Sequence, residues 1–209
     1  MTTIQGSKVT LTYLREKFNL QRTADEHFFT EWLTDLAELS DTEKQTLDQI
    51  ECDYLYLAEL RPTMMKYIVK MVVVSRLLEL AGFYRPPFEI DSKPSMEIFV
   101  EDSDEVIQGN IDVLVLHDRL CVLVIKSERN VLSLEAGKPQ ILAEMLDNPH
   151  PEKPSFGLIT NGTDFIFLKL TKQSGTKYAV SNNFSLTNRG NDLYSVLRIL
   201  KRLGQLAWQ

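Results

Sequence analysis

The sequence predicts an α/β fold, a three-layer sandwich in which helices cover both faces of a central mixed sheet, preceded by an α-helical N-terminal extension. Three observations support this prediction. Helical hydrophobic spacing fills most of residues 1–82. Strand-like alternation begins near residue 96, and further helical segments lie between the strands and at the C-terminus. Helices before and after a mixed sheet in the chain cover its two apolar faces, in an α/β or α+β arrangement.

The extension comprises residues 1–60 and is predicted to be helical. The segment 23–39 places Phe28, Trp32, Leu36 and Leu39 at helical spacing. The segment 40–60 opens on Ser40 and Glu43, which have the spacing of a capping box, and continues with an apolar face.

The net charge of −6 is concentrated in this extension. Residues 1–60 have five Lys or Arg against twelve Asp or Glu, which gives −7, and residues 61–209 have eighteen against seventeen, which gives +1. A near-neutral core does not repel a phosphate backbone as a uniformly acidic protein would, so the charge does not exclude nucleic acid.

The core, residues 61–209, is predicted to start with a helix from Pro62 that ends at Gly82, followed by an extended connection through two prolines. Three strands then form a β-meander, most simply antiparallel. They span residues 96–101, 105–118 and 120–128. The apolar run "LCVLVI" within the third strand is far shorter than the roughly 20 residues of a membrane helix, and the N-terminus has no signal pattern. A soluble, cytoplasmic protein is expected.

After the meander the sequence predicts a helix at 132–148 and then a β-hairpin at 156–171. Asn161-Gly162 lies between two apolar runs, which is a strong hairpin signal. The segment "YAVSN" adds one more strand, and an amphipathic helix closes the chain. The residues that this last helix turns inward are Leu193, Val196, Leu197, Leu200 and Leu203.

Charged residues at two strand ends form the candidate site. Asp112 interrupts an apolar strand, and the next strand ends on Lys126 and Glu128, two positions apart and therefore on one face. Two carboxylates can hold Mg²⁺ for phosphodiester hydrolysis while a lysine orients the attacking water. The same residues can also form a structural salt bridge at a strand end, and spacing does not choose between the two.

Three stretches, "GNIDVLVL" (109–116), "LCVLVIKSERN" (120–130) and "SLEAGKPQILAEML" (133–146), resemble the PD-(D/E)XK nuclease superfamily. They are particularly similar to the N-terminal nuclease domain of type I restriction enzyme R subunits and to small stand-alone cyanobacterial-type members. The resemblance extends over most of the chain, including residues 27–50. It implies a restriction-endonuclease-like core and Mg²⁺-dependent hydrolysis of DNA, with a homodimer or a larger restriction-type assembly as the working form.

The resemblance assigns roles to individual residues. Asp112 matches the first metal-binding aspartate, and Gln140 matches the family's helical glutamine. The family's second motif reads acid, any residue, lysine, whereas here it reads Lys126, Ser127, Glu128. Many relatives also have a glutamate on the helix before the sheet, where this chain offers only Lys66 and Lys70.

The exchanged motif leaves two functional hypotheses. Two residues along a strand separate side chains by about 6.6 to 6.8 Å, and Mg²⁺ ligands must approach to about 2.1 Å, so Glu128 cannot simply replace the lost acid. In a degenerate protein, Lys126 forms an ion pair with Asp112, and the fold binds nucleic acid or a protein without cleavage. In a Mg²⁺-dependent deoxyribonuclease, Asp112 and Glu128 are metal ligands, joined by Glu97 or Glu101.

DNA is the expected partner. Arg129 and Lys138 lie beside the candidate site and are predicted to contact phosphates. Arg198, Lys201 and Arg202 on the last helix could do the same, or could simply be cations favoured near a helix C-terminus. No recognition helix or aromatic stacking platform indicates sequence-specific binding.

Overall fold

In the computed structural model the described residues are 2–5, 8–60, 66–91, 96–99, 105–109, 112–117, 120–127 and 131–206. The helices are α1 (Leu11–Phe18), α2 (Asp41–Leu60), α3 (Lys66–Val69), α4 (Ser75–Leu80), α5 (Val131–Leu146) and α6 (Leu193–Leu206), and a π-helical segment, Lys70–Val74, joins α3 to α4.

The strands are β1 (Thr2–Gln5), β2 (Gln21–Arg22), β3 (Phe88–Asp91), β4 (Met96–Phe99), β5 (Glu105–Gly109), β6 (Val113–His117), β7 (Leu120–Ser127), β8 (Ser155–Thr160), β9 (Asp164–Thr171), β10 (Lys177–Val180) and β11 (Phe184–Ser185). The main sheet has the order β2-β10-β9-β8-β7-β6-β3, and β11 pairs with β9. Its pairs β7/β8 and β10/β2 are parallel and the others are antiparallel, so the sheet is mixed.

Alternation along the strands divides the apolar side chains between two cores. Leu158 and Phe167 enter a first core with α2, the π-helical segment, α4 and α6. Ile159 and Leu168, their neighbours in sequence, enter a second core with α1 and α5. Successive strand residues point to opposite faces, so helices cover both faces of the sheet. The predicted α/β class with a mixed sheet is therefore confirmed. No helix among the described residues is both long and apolar enough to cross a membrane.

The helix predicted at 23–39 is wrong. Residues 23–40, hereafter the N-terminal strap, consist of turns, bends and irregular backbone, with Asp35 at a positive φ of 54°. The apolar spacing reflects burial rather than helix, because Phe29 and Leu39 are buried in the first core. Backbone carbonyls that a helix would use internally accept hydrogen bonds from the core instead. Lys169 Nζ donates to the carbonyl of Phe28 at 2.8 Å, and Arg198 donates to the strap further on.

Of these hydrogen bonds to the strap, those from Arg198 are expected to contribute most to stability. Its Nε donates to the Ala37 carbonyl at 3.0 Å and its terminal nitrogen to the Leu36 carbonyl at 3.2 Å. R198A would leave two carbonyls without this donor, so we expect the free energy of unfolding in urea to fall by about 1–3 kcal/mol. R189A is the matched control, because Arg189 is exposed and its side chain has no hydrogen bond or ion pair with a described residue. Equal losses in the two variants would contradict this role for Arg198.

The meander predicted over 96–128 is partly wrong. The single strand expected at 105–118 is two strands in different sheets, since β5 lies between β1 and β4 in a separate three-stranded sheet and β6 lies in the main sheet. β1 runs parallel to β5, a pairing between segments about a hundred residues apart that local pattern cannot reveal. The antiparallel pairs β4/β5 and β6/β7 are as predicted.

Several of the remaining elements follow the prediction, but β2 lies in the extension predicted to be helical and β3 lies in the predicted extended connection. Ser40 and Glu43 form the reciprocal capping box at the start of α2, with the Ser40 N–H donating to Glu43 Oε2 at 2.8 Å. Gly82 follows α4 with a φ of +85°. The hairpin β8/β9, the strand β10 and all five inward residues of α6 are confirmed. The extension contributes to both cores, with Phe29, Leu47 and Ile50 in the first and Leu14 and Leu20 in the second.

Candidate functional site

The sheet brings the ends of several strands together at one edge. β6 and β7 are antiparallel, with Val113 opposite Ile125, so one further step in the same register sets Asp112 beside Lys126. β8 runs parallel to β7 and pairs Ser127 with Thr160. The start of β6 and the ends of β7 and β8 therefore meet, as the sequence predicted for the first two.

Asp112 forms an ion pair with a helix of the first core. Lys70 Nζ lies 2.9 Å from Asp112 Oδ1, and the Asp112 side chain is only 11% exposed, against 34% for Lys70. Lys70 is the first residue of the π-helical segment, which Val69 and Val73 fix in the core because both are buried. A carboxylate so nearly buried needs a compensating charge, and Lys70 provides one.

Sequence reasoning chose a different lysine for this role. It paired Asp112 with Lys126, whose backbone occupies the expected place in β7 but whose side chain lies outside the described residues. Glu128 and Arg129 also lie outside them, as does Glu101, while Glu97 belongs to β4 in the smaller sheet. The signal for Lys70 was present in the sequence, since it is a lysine on the helix where many members of the resembled superfamily have a glutamate.

Gln140 and Lys138 lie on α5, which packs on β7 and β8. Gln140 Nε2 donates to Glu144 Oε1 at 3.4 Å, and Glu144 is buried. Lys138 Nζ lies 2.6 Å from Glu135 Oε1, and its side chain is only 14% exposed. The predicted phosphate contact of Lys138 would therefore have to compete with Glu135. The buried Glu144 was not noticed in the sequence, although its place four residues after Gln140 puts it on the same helix face.

The three cations of α6 are bound by the N-terminal strap and the start of α2. Arg198 bonds two strap carbonyls, Lys201 pairs with Glu43, and Arg202 lies 3.1 Å from Asp35. Neither role considered from the sequence, phosphate contact or a generic charge preference of a helix end, accounts for these contacts. They attach the acidic extension to the core.

A polar network lies at the same edge of the sheet, in the β8/β9 loop. Tyr54 of α2 donates to the Asn161 carbonyl at 3.2 Å, and its hydroxyl lies 3.0 Å from Thr163 Oγ1. The buried Asp164 accepts from Asn161 Nδ2 at 3.2 Å and from Asn183 Nδ2 at 3.0 Å. Burial raises the pKa of Tyr54, which keeps the phenol neutral and able to donate. The loop is thereby fixed against α2.

Within the described ranges, no group of three or more His, Cys, Asp or Glu side chains is arranged to hold a metal ion. Chemically, the described part of the site is an ion pair, Lys70 with Asp112, beside a fixed polar loop. No protein-family model matches the chain, and no match was found among curated proteins.

Proposed function

We propose that the chain is a restriction-endonuclease-like protein, related to Mg²⁺-dependent DNA phosphodiester hydrolases, that acts by binding rather than by cleavage. The contact between Lys70 and Asp112 carries this proposal. Asp112 matches the first metal ligand of the superfamily, and its carboxylate is already neutralised by an ammonium group. The parallel β7/β8 pair joined through α5 and the helices on both faces of the sheet are compatible with the restriction-endonuclease-like sandwich.

Electrostatics explains why this pair opposes metal binding. A Mg²⁺ ion at about 2.1 Å from Asp112 would lie within several ångströms of the Lys70 ammonium group, in a site with little access to solvent. Either the metal is repelled or Lys70 must leave a nearly buried carboxylate. Lys126 adds a second lysine at the neighbouring strand position, where the family has an acid. Lys70 and Lys126 both add positive charge near Asp112, and both therefore lower the metal affinity.

The test is to titrate the protein with Mg²⁺ and Mn²⁺ by calorimetry, and to incubate it with supercoiled plasmid and linear duplex in the same buffers. We expect no metal binding tighter than millimolar and no cleavage. The competing hypothesis, a nuclease that uses Asp112 and Glu128 with Lys126, requires the opposite result. Metal-dependent nicking that D112N abolishes would establish that hypothesis and overturn our proposal.

A further inference from the structure

The edge of the main sheet beside β2 is only partly covered. β2 runs parallel to β10, and the N–H of Thr23 donates to the Tyr178 carbonyl at 3.0 Å. In a continued ladder the N–H of Asp25 would be the next donor, to the carbonyl of Val180. It donates instead to Thr23 Oγ1 at 3.1 Å, and the strap turns away from the sheet at this point. β10 therefore extends to Val180 without β2 beside it.

The backbone of Val180 faces this uncovered part of the edge. The N–H of Ser181 donates to the Phe167 carbonyl at 2.9 Å, so Ser181 is bonded to the β9 side and Val180, its neighbour, points the opposite way. On that opposite side, no residue that the structure describes forms a hydrogen bond with the N–H or the carbonyl of Val180. Such groups on a strand edge are the ones that bind a further extended segment.

A cavity of about 390 Å³ opens at the same place. Its volume is at the small end of the roughly 300–1,000 Å³ range of ligand pockets. The edge of β10 forms one wall with Ala179 and Val180, and the strap forms the other with Phe29, Trp32 and Leu33. Phe29 is buried, whereas Leu33 is 54% exposed. A ligand that covered Leu33 would remove apolar surface from water beside the strand edge.

The cavity also has more negative than positive charge. Asp25 and Glu26 line it together with Arg22, which gives a net charge of −1. Neither carboxylate forms an ion pair within the described part of the chain, and this includes Arg22. Glu31 and Asp35 of the strap are, by contrast, paired with cations of the core. The strap contains no Lys or Arg of its own, so a positively charged group is the complement of this rim.

We propose that this cavity binds a short, extended, basic peptide segment of a partner protein, which continues the line of β2 along β10. The backbone of the peptide bonds the N–H and the carbonyl of Val180. An apolar side chain of the peptide packs on the wall that the strap forms, and a lysine or arginine lies beside Asp25 and Glu26. The site is separate from Asp112, because β10 is four strands from β6, about 19 Å at a spacing of about 4.8 Å. It goes beyond the proposed function and does not depend on it.

Selection from a random library of phage-displayed octapeptides on the immobilised full chain tests the proposal. The retained peptides are counter-selected on D25N/E26Q, in which the amide oxygen at residue 25 can still accept the N–H of His27. We expect the peptides specific to the native chain to combine a lysine or arginine with β-branched or aromatic residues. A labelled synthetic copy of the most enriched peptide should bind D25N/E26Q roughly three- to tenfold more weakly in fluorescence anisotropy.

The matched control is E59Q/E79Q, which removes the same charge from two exposed carboxylates outside the cavity and should leave the affinity unchanged. Circular dichroism checks that each variant is folded. A lack of native-specific peptides, enrichment of peptides without lysine or arginine, or equal affinities for native protein and D25N/E26Q would overturn the proposal.

Two N-methylated forms of the enriched peptide separate strand pairing from charge attraction alone. Alternate N–H groups of an extended peptide point to opposite sides, so methylating one set removes the bond to β10 and methylating the other set leaves it. We expect one form to bind at least tenfold more weakly than the other. Equal affinities of the two forms would show that the peptide does not pair with β10. Metal-dependent cleavage by the native chain would overturn only the non-cleaving function and would leave this site unaffected.

Discussion

The triple variant K70E/K126E/E128K is expected to bind Mn²⁺ at least tenfold more tightly than K126E/E128K. The double exchange restores the acid, any residue, lysine order of the nuclease superfamily that the sequence resembles, and should itself gain metal affinity over the native chain. It leaves Lys70, however, 2.9 Å from Asp112, where the ammonium competes with the metal for the same carboxylate. Replacing Lys70 removes that competition and supplies the acid that many members of the resembled superfamily have on this helix. A tenfold gain corresponds to about 1.4 kcal/mol.

Calorimetric titration of the native, double and triple proteins measures this ranking directly. K44E/K126E/E128K is the matched control, because it has the same net charge as the triple variant, and Lys44 contacts Asp41 on α2 rather than Asp112. This control should bind Mn²⁺ no better than the double variant. If the native chain already binds as tightly as the triple variant, the Lys70 pair does not block the site, and the non-cleaving function is wrong.

How much of the fold could be predicted depended on how far apart in sequence the interacting residues lie. α6 was predicted residue by residue because one apolar stripe at helical spacing determines its buried face. The strap has the same spacing but no helix, since Arg198 and Lys169 bind its carbonyls from α6 and β9, more than a hundred residues away. The pairing of β1 with β5 also joins segments more than a hundred residues apart. No local pattern encodes such partners.

The candidate site shows the same limit. Asp112 was found because a carboxylate in an apolar strand is conspicuous, and the observed pairing of Val113 with Ile125, continued by one residue, sets its backbone opposite that of Lys126. The described partner of Asp112 was missed because choosing between Lys66, Lys70 and Lys126 requires knowing which residues of the helix face the sheet. The π-helical segment that begins at Lys70 changes which residues do so, and no propensity rule would have predicted a π-helical segment at this position.

The largest stability effect is expected at Gly162, in the β8/β9 loop beside the site. Gly162 has a φ of +91°, and a Cβ there would lie 2.5 Å from Tyr54 Cε2, an atom of a buried ring. G162A should therefore suffer backbone strain of about 1–2 kcal/mol together with overpacking of about 1–3 kcal/mol. We expect a loss of about 3 kcal/mol, and a fall in Tm of roughly 6–12 °C by calorimetry.

Gly175 separates the two causes, because its φ of +101° is similar but nothing lies within 4 Å of a Cβ there. G175A should cost only the backbone strain, so the difference between the variants measures the contact with Tyr54. In a Y54A background G162A should cost no more than G175A, whereas in Y54F, which keeps the ring, the full cost should remain. Equal costs for G162A and G175A in the native background would show that the ring moves aside. Tyr54 would then not hold the loop rigidly at the edge where Asp112 and Lys70 meet.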